Sequence, residues 1–235
     1  MAVTYADSKE IKWTTYPSGL DSISTVSILA WFSYSSLNVT DSAIMTRFGS
    51  DATYFWRMVL SSSGTLRFNK REGASNTTGA WDTSSTLSSS TLYFSAATFD
   101  FGSVSNTPVI YLNGSSVSIS ATVTPVATGT RPADGNITSS VVTANRGIIG
   151  TIYNTLVYNR ILSASEIADA YASKLAIPSY RGLIFAPQLW GCAGGVAEGG
   201  TMAAGNTVAD AVSGALGVPS GSPVFKGDTV LTFQS

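Results

Sequence analysis

Residues 148–167 read IIGTIYNTLVYNRILSASEI, and this stretch carries two structural patterns in succession. Its first part, Ile148–Asn159, is rich in β-branched and aromatic residues and predicts a strand pair or one bent strand. Ser163 and Glu166 then have the spacing of a capping box, in which each side chain satisfies the backbone amide of the other residue. The apolar stripe that follows predicts one short helix near 164–175. We expect this helix to cover one end of the fold.

The rest of the chain mostly alternates short apolar runs with turn residues, which is typical of an all-β sandwich or barrel. Four further stretches have clear strand patterns: Val26–Tyr34, Tyr54–Leu60, Thr65–Asn69 and Thr91–Phe101. Asn113-Gly114 is a strong hairpin signal and predicts a return strand through Val117 and Ile119. A chain of 235 residues with 44% hydrophobic residues can bury a sizeable core. We therefore predict one domain over residues 1–235.

Three motifs resemble the laminin-G-like family. A buried strand of the type s-x-x-a-W is met by Ser27–Trp31, and a strand ending in Y-l-N-G is met by Tyr111–Gly114. The most specific motif, g-x-i followed by v-Y-n-r-x-L-s-x-x-E-I, is met by Gly150–Ile167. The resemblance covers roughly residues 10–175. It implies a concanavalin A-like jelly roll, an all-β sandwich of two antiparallel sheets.

The opening strands that this family usually shows are missing at the start of the chain. Similar segments stand at the other end instead: Arg181–Leu189, Asp210–Gly214 and Gly227–Phe233. We therefore interpret the domain as circularly permuted, with residues 180–235 supplying C-terminal strands and a loop rich in glycine, alanine and serine. Two alternatives stay open. This segment could dock on a neighbouring copy by domain swapping, or it could be an unrelated extension.

Charge excludes two classes of partner. Only 11% of the residues are charged and the formal net charge is −1, so no general field attracts nucleic acid or an anionic membrane. We interpret the one basic cluster, Arg67, Lys70 and Arg71, as a solvated face. The single cysteine, Cys192, allows no intrachain disulfide. The first residues lack the pattern of a signal peptide, so we expect synthesis in a cytoplasm.

The sequence shows no catalytic machinery. The absence of histidine excludes Ser-His-Asp triads and histidine-bearing zinc sites. The four glutamates, Glu10, Glu72, Glu166 and Glu198, are too scattered for the paired carboxylates of a glycosidase. We therefore predict no enzymatic activity, no catalytic residues and no metal ligands. Calcium remains an alternative cofactor, for which four aspartates are candidates by composition: Asp51, Asp82, Asp100 and Asp134.

A sugar site needs an exposed aromatic platform beside amide or carboxylate partners. Trp81 and Asp82, with Asn76 nearby in the same predicted loop, form the best local combination. The alternative is that Trp81 fills the edge of the sandwich. We assign Trp31 and Trp56, which lie within predicted strands, to the core.

Two functions fit these observations. The first is a structural protein of a virion surface, a phage capsid decoration or tail-appendage protein, whose partners are copies of itself and other virion proteins. The hydroxyl-rich, weakly charged composition favours it. The alternative is a carbohydrate-binding, lectin-like module for attachment to glycans, with an extracellular location. The two functions are compatible in one protein.

Overall fold

The computed structural model describes twelve stretches of the chain: 2–5, 10–13, 23–48, 54–71, 79–126, 137–140, 146–174, 179–193, 207–210, 212, 216–220 and 224–226. The first strands in chain order are β1 (Ala2–Tyr5), β2 (Glu10–Trp13), β3 (Thr25–Ser36), β4 (Ser42–Phe48), β5 (Tyr54–Leu60), β6 (Thr65–Lys70), β7 (Gly79–Thr86), β8 (Tyr93–Asp100) and β9 (Val109–Leu112). The remaining elements are β10 (Ser115–Ser116), β11 (Ile119–Val123), β12 (Ile137–Ser140), β13 (Ile149–Tyr158), α1 (Ala164–Ala172), β14 (Leu183–Phe185), β15 (Pro187–Ala193), β16 (Thr207–Asp210), β17 (Leu216–Ser220) and β18 (Val224–Lys226).

These strands form two antiparallel sheets. The eight-stranded sheet has the order β10-β9-β8-β3-β13-β1-β18. Its eighth strand, β14, pairs with residues of β13 that follow those paired with β1. The ten-stranded sheet has the order β11-β7-β6-β5-β4-β12-β2-β17-β16-β15. The predicted all-β sandwich of concanavalin A-like type is confirmed.

The main core lies between the two sheets, and the alternation of side chains in β3 shows how it forms. Val26, Ile28 and Phe32 face the other sheet and belong to the large buried cluster. Leu29 and Trp31 point to the opposite face, where they join a second buried cluster. Successive side chains of a strand project from opposite faces. The centre of β3 is therefore buried on both sides, as its apolar sequence predicts.

The helix α1 covers the outer face of the eight-stranded sheet. Ser163 caps it with the predicted capping box, and its buried residues pack in the second cluster. The ring of Tyr171 stacks on Trp31 with 5.5 Å between ring centroids. The prediction that the helix covers one end of the sandwich is wrong, because Leu29 and Trp31 make this sheet face apolar and the helix must cover it. Lys174 follows the helix with φ of 60°.

Of the two alternatives for residues 148–159, the structure shows one irregular strand, β13, whose pairing with β3 shifts register twice. The predicted return strand after the hairpin differs from the structure. After Asn113-Gly114 the predicted return is only two residues long, β10. Ile119 and the residues that follow instead form β11, which pairs with β7 in the ten-stranded sheet. The chain therefore crosses between the sheets just after the hairpin.

Gly150 marks a close approach between β13 and β3. A Cβ atom there would overlap the carbonyl oxygen of Ser33 and lie 2.6 Å from the Cα atom of Tyr34. Both neighbours are backbone atoms of a central strand, so they have no freedom to move aside. In this chain, position 150 therefore requires a residue without a side chain.

Strands of the last third pair with both sheets of the same chain. β14 pairs with β13, β18 pairs with β1, and β17 pairs with β2. The circular permutation and the single-domain boundary stay predictions. The strand expected near Phe233 lies outside the described residues.

Candidate functional site

The structure places the predicted sugar residue Trp81 inside the sandwich. Trp81 is 1% exposed, and its ring centroid lies 5.6 Å from that of Phe99 and 6.3 Å from that of Phe68. An aromatic platform must present an open ring face. This prediction is therefore contradicted for Trp81, whose ring fills the core. Asn76 lies outside the described residues.

Asp82 follows Trp81 in β7 and so projects from the outer face of the ten-stranded sheet. Its carboxylate accepts hydrogen bonds from Arg67 (Nε, 2.5 Å), Thr65 (2.9 Å) and Thr122 (3.2 Å). Burial alone would raise the pKa of Asp82, but these hydrogen bonds and the Arg67 charge outweigh it and lower the pKa. Both carboxylate oxygens are thus committed to neighbouring strands, and Asp82 ties β6, β7 and β11 together.

The ion pairs of this face extend beyond Asp82. Arg67 also binds Asp41 (Nη1 to Oδ1, 2.9 Å), and Arg57 binds the other oxygen of Asp41 at 2.5 Å. Two guanidinium groups and two carboxylates therefore compensate each other across the outer face. Partly buried pairs of this kind fix strand positions, and removing one partner costs more than the pair contributes.

The basic cluster predicted as a solvated face is divided by the sheet. Arg67 projects outward, but Lys70 is 1% exposed and its ammonium group lies 5.5 Å above the ring of Phe99. Residues three positions apart in a strand point to opposite faces. The interpretation of Lys70 as solvated is therefore wrong.

A groove opens on the outer face of the eight-stranded sheet, beside the segment that leads into α1. One side is the crossover segment, residues 159–162, which runs over β3. Thr25 donates a hydrogen bond from its hydroxyl to the Asn159 carbonyl (3.1 Å). Ser27 donates to the Arg160 carbonyl (2.6 Å) and accepts from the Leu162 amide (2.9 Å). These bonds hold the crossover segment against the sheet.

The other side is the β8–β9 loop, residues 101–108. The carboxylate of Asp100 accepts the amide of Gly102 at 2.7 Å, and the side-chain amide of Asn106 donates to the Asp100 carbonyl at 3.0 Å. Aspartate and asparagine stabilise tight loops through such bonds to nearby backbone. The loop therefore stands as a fixed wall opposite the crossover segment.

The groove between these walls has a volume of about 370 Å³. Its described lining residues are Thr98, Phe99, Asp100, Ser105, Asn106, Thr107, Val109 and Ile161. Thr98 pairs directly with Val109 across β8 and β9, so both side chains stand on the same face. Val109 and Ile161 are each 43% exposed and give the groove its aliphatic surface. This volume falls within the range of small-molecule sites.

Two polar groups of the groove have unused hydrogen-bonding capacity. Thr98 is 3% exposed, and within the described chain its hydroxyl has no hydrogen-bond partner. Asp100 is exposed, and within the same stretches its Oδ2 atom accepts no hydrogen bond and meets no basic group. The Thr98 hydroxyl is not one of the described polar atoms that are buried without a partner, so it is open to a molecule in the groove. The groove thus combines apolar walls with open hydrogen-bonding groups.

The basic residue beside the groove is committed elsewhere. Arg160 holds Glu166 through both terminal nitrogens, at 2.9 and 2.6 Å, and donates from Nε to the Arg181 carbonyl at 2.8 Å. The hydrogen bond from Arg160 is the main reason that the pKa of Glu166 falls to about 2, and the Ser163 amide adds to it. Arg160 therefore anchors the helix start and leaves Asp100 as the charged residue of the groove.

Calcium candidates do not converge where they can be placed. Asp82 and Asp100 lie on different sheets, while Asp51 and Asp134 lie outside the described residues. In the described stretches no three aspartate, glutamate, histidine or cysteine side chains gather around a common point.

None of the helices described there has the length and apolarity that crossing a bilayer requires.

Sequence reasoning did not find the groove, because its lining joins residues 98–109 to Ile161, which is more than fifty positions away in the chain. Asp100 entered only as a calcium candidate, and Ile161 entered only as a position of the family motif. One local signal was present: Asp100 stands two residues before Gly102, a spacing typical of an Asx turn. The pairing of that turn with the crossover segment depends on the sheet order.

The comparisons with known proteins agree with this architecture. The laminin-G family model, described as the concanavalin A-like lectin/glucanases superfamily, matches residues 7–168. Among curated proteins, none matches the sequence. A crystal structure of a candidate carbohydrate-binding protein from Bacteroides ovatus has a TM-score of 0.65 at 16% identity. That match covers 97% of this chain and 60% of the other, so this chain spans less than two thirds of that protein.

Two further structures have the same fold at lower identity. The heptameric SAP-like pentraxin of Limulus polyphemus has a TM-score of 0.54 at 11% identity, covering 72% of this chain and 81% of its own. The CBM40 module of the Ruminococcus gnavus IT-sialidase, bound to α2,3-sialyllactose, has a TM-score of 0.53 at 12% identity. That match covers 72% of this chain and 95% of the module. At these identities the likeness concerns the fold.

Proposed function

Because the chain belongs to the concanavalin A-like lectin/glucanases superfamily, we propose that it is a non-catalytic carbohydrate-binding module whose sugar site is the groove. One observation carries the proposal. The groove sets two half-exposed aliphatic walls, Val109 and Ile161, against the unused hydrogen-bonding groups of Thr98 and Asp100. A pyranose ring has the same mixture, with apolar C–H faces and hydroxyl groups around its rim.

The energetics of Thr98 favour occupation by such a ring. A net hydrogen bond contributes about 0.5–1.5 kcal/mol. A sugar hydroxyl that reaches Thr98 would make one such bond. A ring face against Val109 and Ile161 would add apolar burial. The groove is held on both sides by hydrogen bonds between side chains and backbone, so little ordering is required on binding.

The comparisons support the ligand class but not the residues. The Bacteroides ovatus protein is named for carbohydrate binding, and the CBM40 module was solved with a sialylated sugar. The groove itself comes from the geometry of this chain. The proposal covers this chain and not the remainder of any longer protein.

A glycan array followed by calorimetry tests the proposal. We expect at least one glycan to bind, and we expect Thr98→Val to weaken that glycan about tenfold, the loss of one hydrogen bond. Thr155→Val is the control for loss of a threonine hydroxyl, because Thr155 lies in β13 away from the groove and its buried hydroxyl has no hydrogen-bond partner in the described chain. A blank array, or a Thr98→Val variant that binds like the parent, would contradict the proposal.

The virion-surface role is a second proposal, and composition alone supports it. Charged residues make up 11% of the chain, so copies repel one another weakly. A lectin on the virion surface would combine the structural role with carbohydrate binding, and the protein would then be found on virus particles. A secreted carbohydrate-binding module would not be found there. A mass-spectrometric inventory of purified particles from the source tests this location, and absence from the particles would exclude it.

A further inference from the structure

We infer that the groove selects sugars by charge: it accepts neutral pyranoses and rejects carboxylated ones, and Asp100 is the residue that sets this preference. This inference rests on the proposed function, since it concerns the same groove. It assigns a ligand class opposite to that of the sialyllactose-bound module described above.

The charge of the described groove lining is negative. Among its described lining residues, Asp100 is the ionisable one, and the other polar members are hydroxyl and amide side chains. The side chain of Asp100 is exposed, and within the described chain it has no basic partner. A ligand carboxylate in the groove would therefore stand beside a like charge with no compensation.

The second step is that the neighbouring guanidinium group is not available to a ligand. A carboxylated sugar is usually held by an arginine with free N–H groups. Arg160 adjoins the groove through Ile161, but its two terminal nitrogens bind Glu166 and its Nε binds the Arg181 carbonyl. Recruiting Arg160 would break a bidentate ion pair and release the helix cap that Glu166 makes with Ser163.

The third step is what Asp100 offers to a neutral sugar. Its Oδ1 atom already accepts the Gly102 amide, which fixes the carboxylate and leaves Oδ2 open. A fixed carboxylate oxygen is a strong acceptor for sugar hydroxyls, since charge-assisted hydrogen bonds are about twice as strong as neutral ones. The same atom therefore attracts hydroxyl groups and repels carboxylates.

The experiment uses matched sugars on the full chain. The probes are the methyl glycosides of glucose, galactose and mannose, each paired with its uronate, which differs only by a carboxylate at C6. Binding is measured by NMR titration of the Val109 and Ile161 methyl groups at low and moderate salt. We expect at least one neutral glycoside to bind and its uronate to bind at least tenfold more weakly, with a smaller difference at higher salt.

Variants separate the charge effect from other causes. Asp100→Asn should bring the two members of the pair within about twofold of each other. Asp169→Asn, which removes an exposed carboxylate from α1, should leave the ratio unchanged. A uronate that binds as well as its neutral partner, or a ratio that Asp100→Asn does not change, would overturn the inference while the proposed function stands. Absence of binding by every probe would overturn the inference, and a blank glycan array would overturn the proposed function as well.

Discussion

Substitution of Trp81 distinguishes two roles for this residue, packing in the core and binding of a sugar. We consider two substitutions, Trp81→Ala and Trp81→Phe. Trp81 is 1% exposed, and its ring packs against Phe68 and Phe99 between the sheets. If this packing is its role, Trp81→Ala lowers the free energy of unfolding strongly, Trp81→Phe changes it much less, and neither changes the glycan affinity of the folded protein.

The sizes of the two effects follow from different contributions. Truncating a buried tryptophan to alanine costs about 3–5 kcal/mol. Trp81→Phe loses roughly 50 Å² of buried apolar surface, which costs about 1.3 kcal/mol at about 25 cal/mol/Å². The indole N–H of Trp81, however, is buried without a hydrogen-bond partner in the described chain. Removing such a donor recovers about 1–3 kcal/mol, so the two contributions offset each other and Trp81→Phe should stay within about 2 kcal/mol of the parent.

Urea unfolding followed by far-UV circular dichroism gives both free energies, and calorimetry in native buffer gives the affinity. The expected order of stability is parent and Trp81→Phe close together, with Trp81→Ala at least about 3 kcal/mol lower. A Trp81→Ala variant that keeps its stability but loses glycan binding would refute the core assignment. It would restore Trp81 as the sugar platform.

Three other predictions concern stability. Gly150→Ala should lower the unfolding free energy by about 2 kcal/mol or more, because the new methyl group meets the Ser33 backbone. Thermal unfolding should show this as a fall of about 5 °C in Tm. An unchanged Tm would refute the close approach. Glu166→Gln keeps a side chain that can complete the capping box but loses the charged pair with Arg160, and should cost about 1 kcal/mol at neutral pH. The pKa of Glu166 falls from 4.5 to about 2, so this contribution is present above pH 4.5 and the parent should lose it as pH falls toward 2, whereas the variant should not. Burial raises the pKa of Tyr158 from 10.0 to about 12, so the parent should lose stability as pH rises from 10 toward 12, and equal alkaline curves for Tyr158→Phe would contradict this.

Sequence patterns predicted the fold class because they report local physics. The alternation in β3 and the capping box at Ser163 are set by residues close together in the chain. The prediction that Ile119 belongs to the return strand of the hairpin was wrong, because the Asn113-Gly114 turn determines the pairing of only the next few residues. Which sheet Ile119 joins depends on the open edge of β7, and that edge is not visible in the local sequence.

The candidate site was less accessible to sequence reasoning for a related reason. Trp81 and Asp82 were chosen as neighbours, yet adjacent residues of a strand point to opposite faces, so the two were separated by the sheet itself. The groove joins Asp100 with Ile161, whose meeting depends on the crossover segment. The prediction of a carbohydrate-binding class needed only the family motifs, whereas the site needed the sheet order.

The pairing of β3 with β13 has a consequence for biosynthesis. Its register joins residues more than a hundred positions apart, such as Ser27 and Tyr158. A ribosome therefore releases β3 long before its partner exists, and the apolar outer face with Leu29 and Trp31 waits still longer for α1. Topologies dominated by such distant contacts fold slowly, in milliseconds to seconds or more. The nascent chain would therefore be most prone to aggregation in the interval before residue 172 emerges, and holdase chaperones would act on it then.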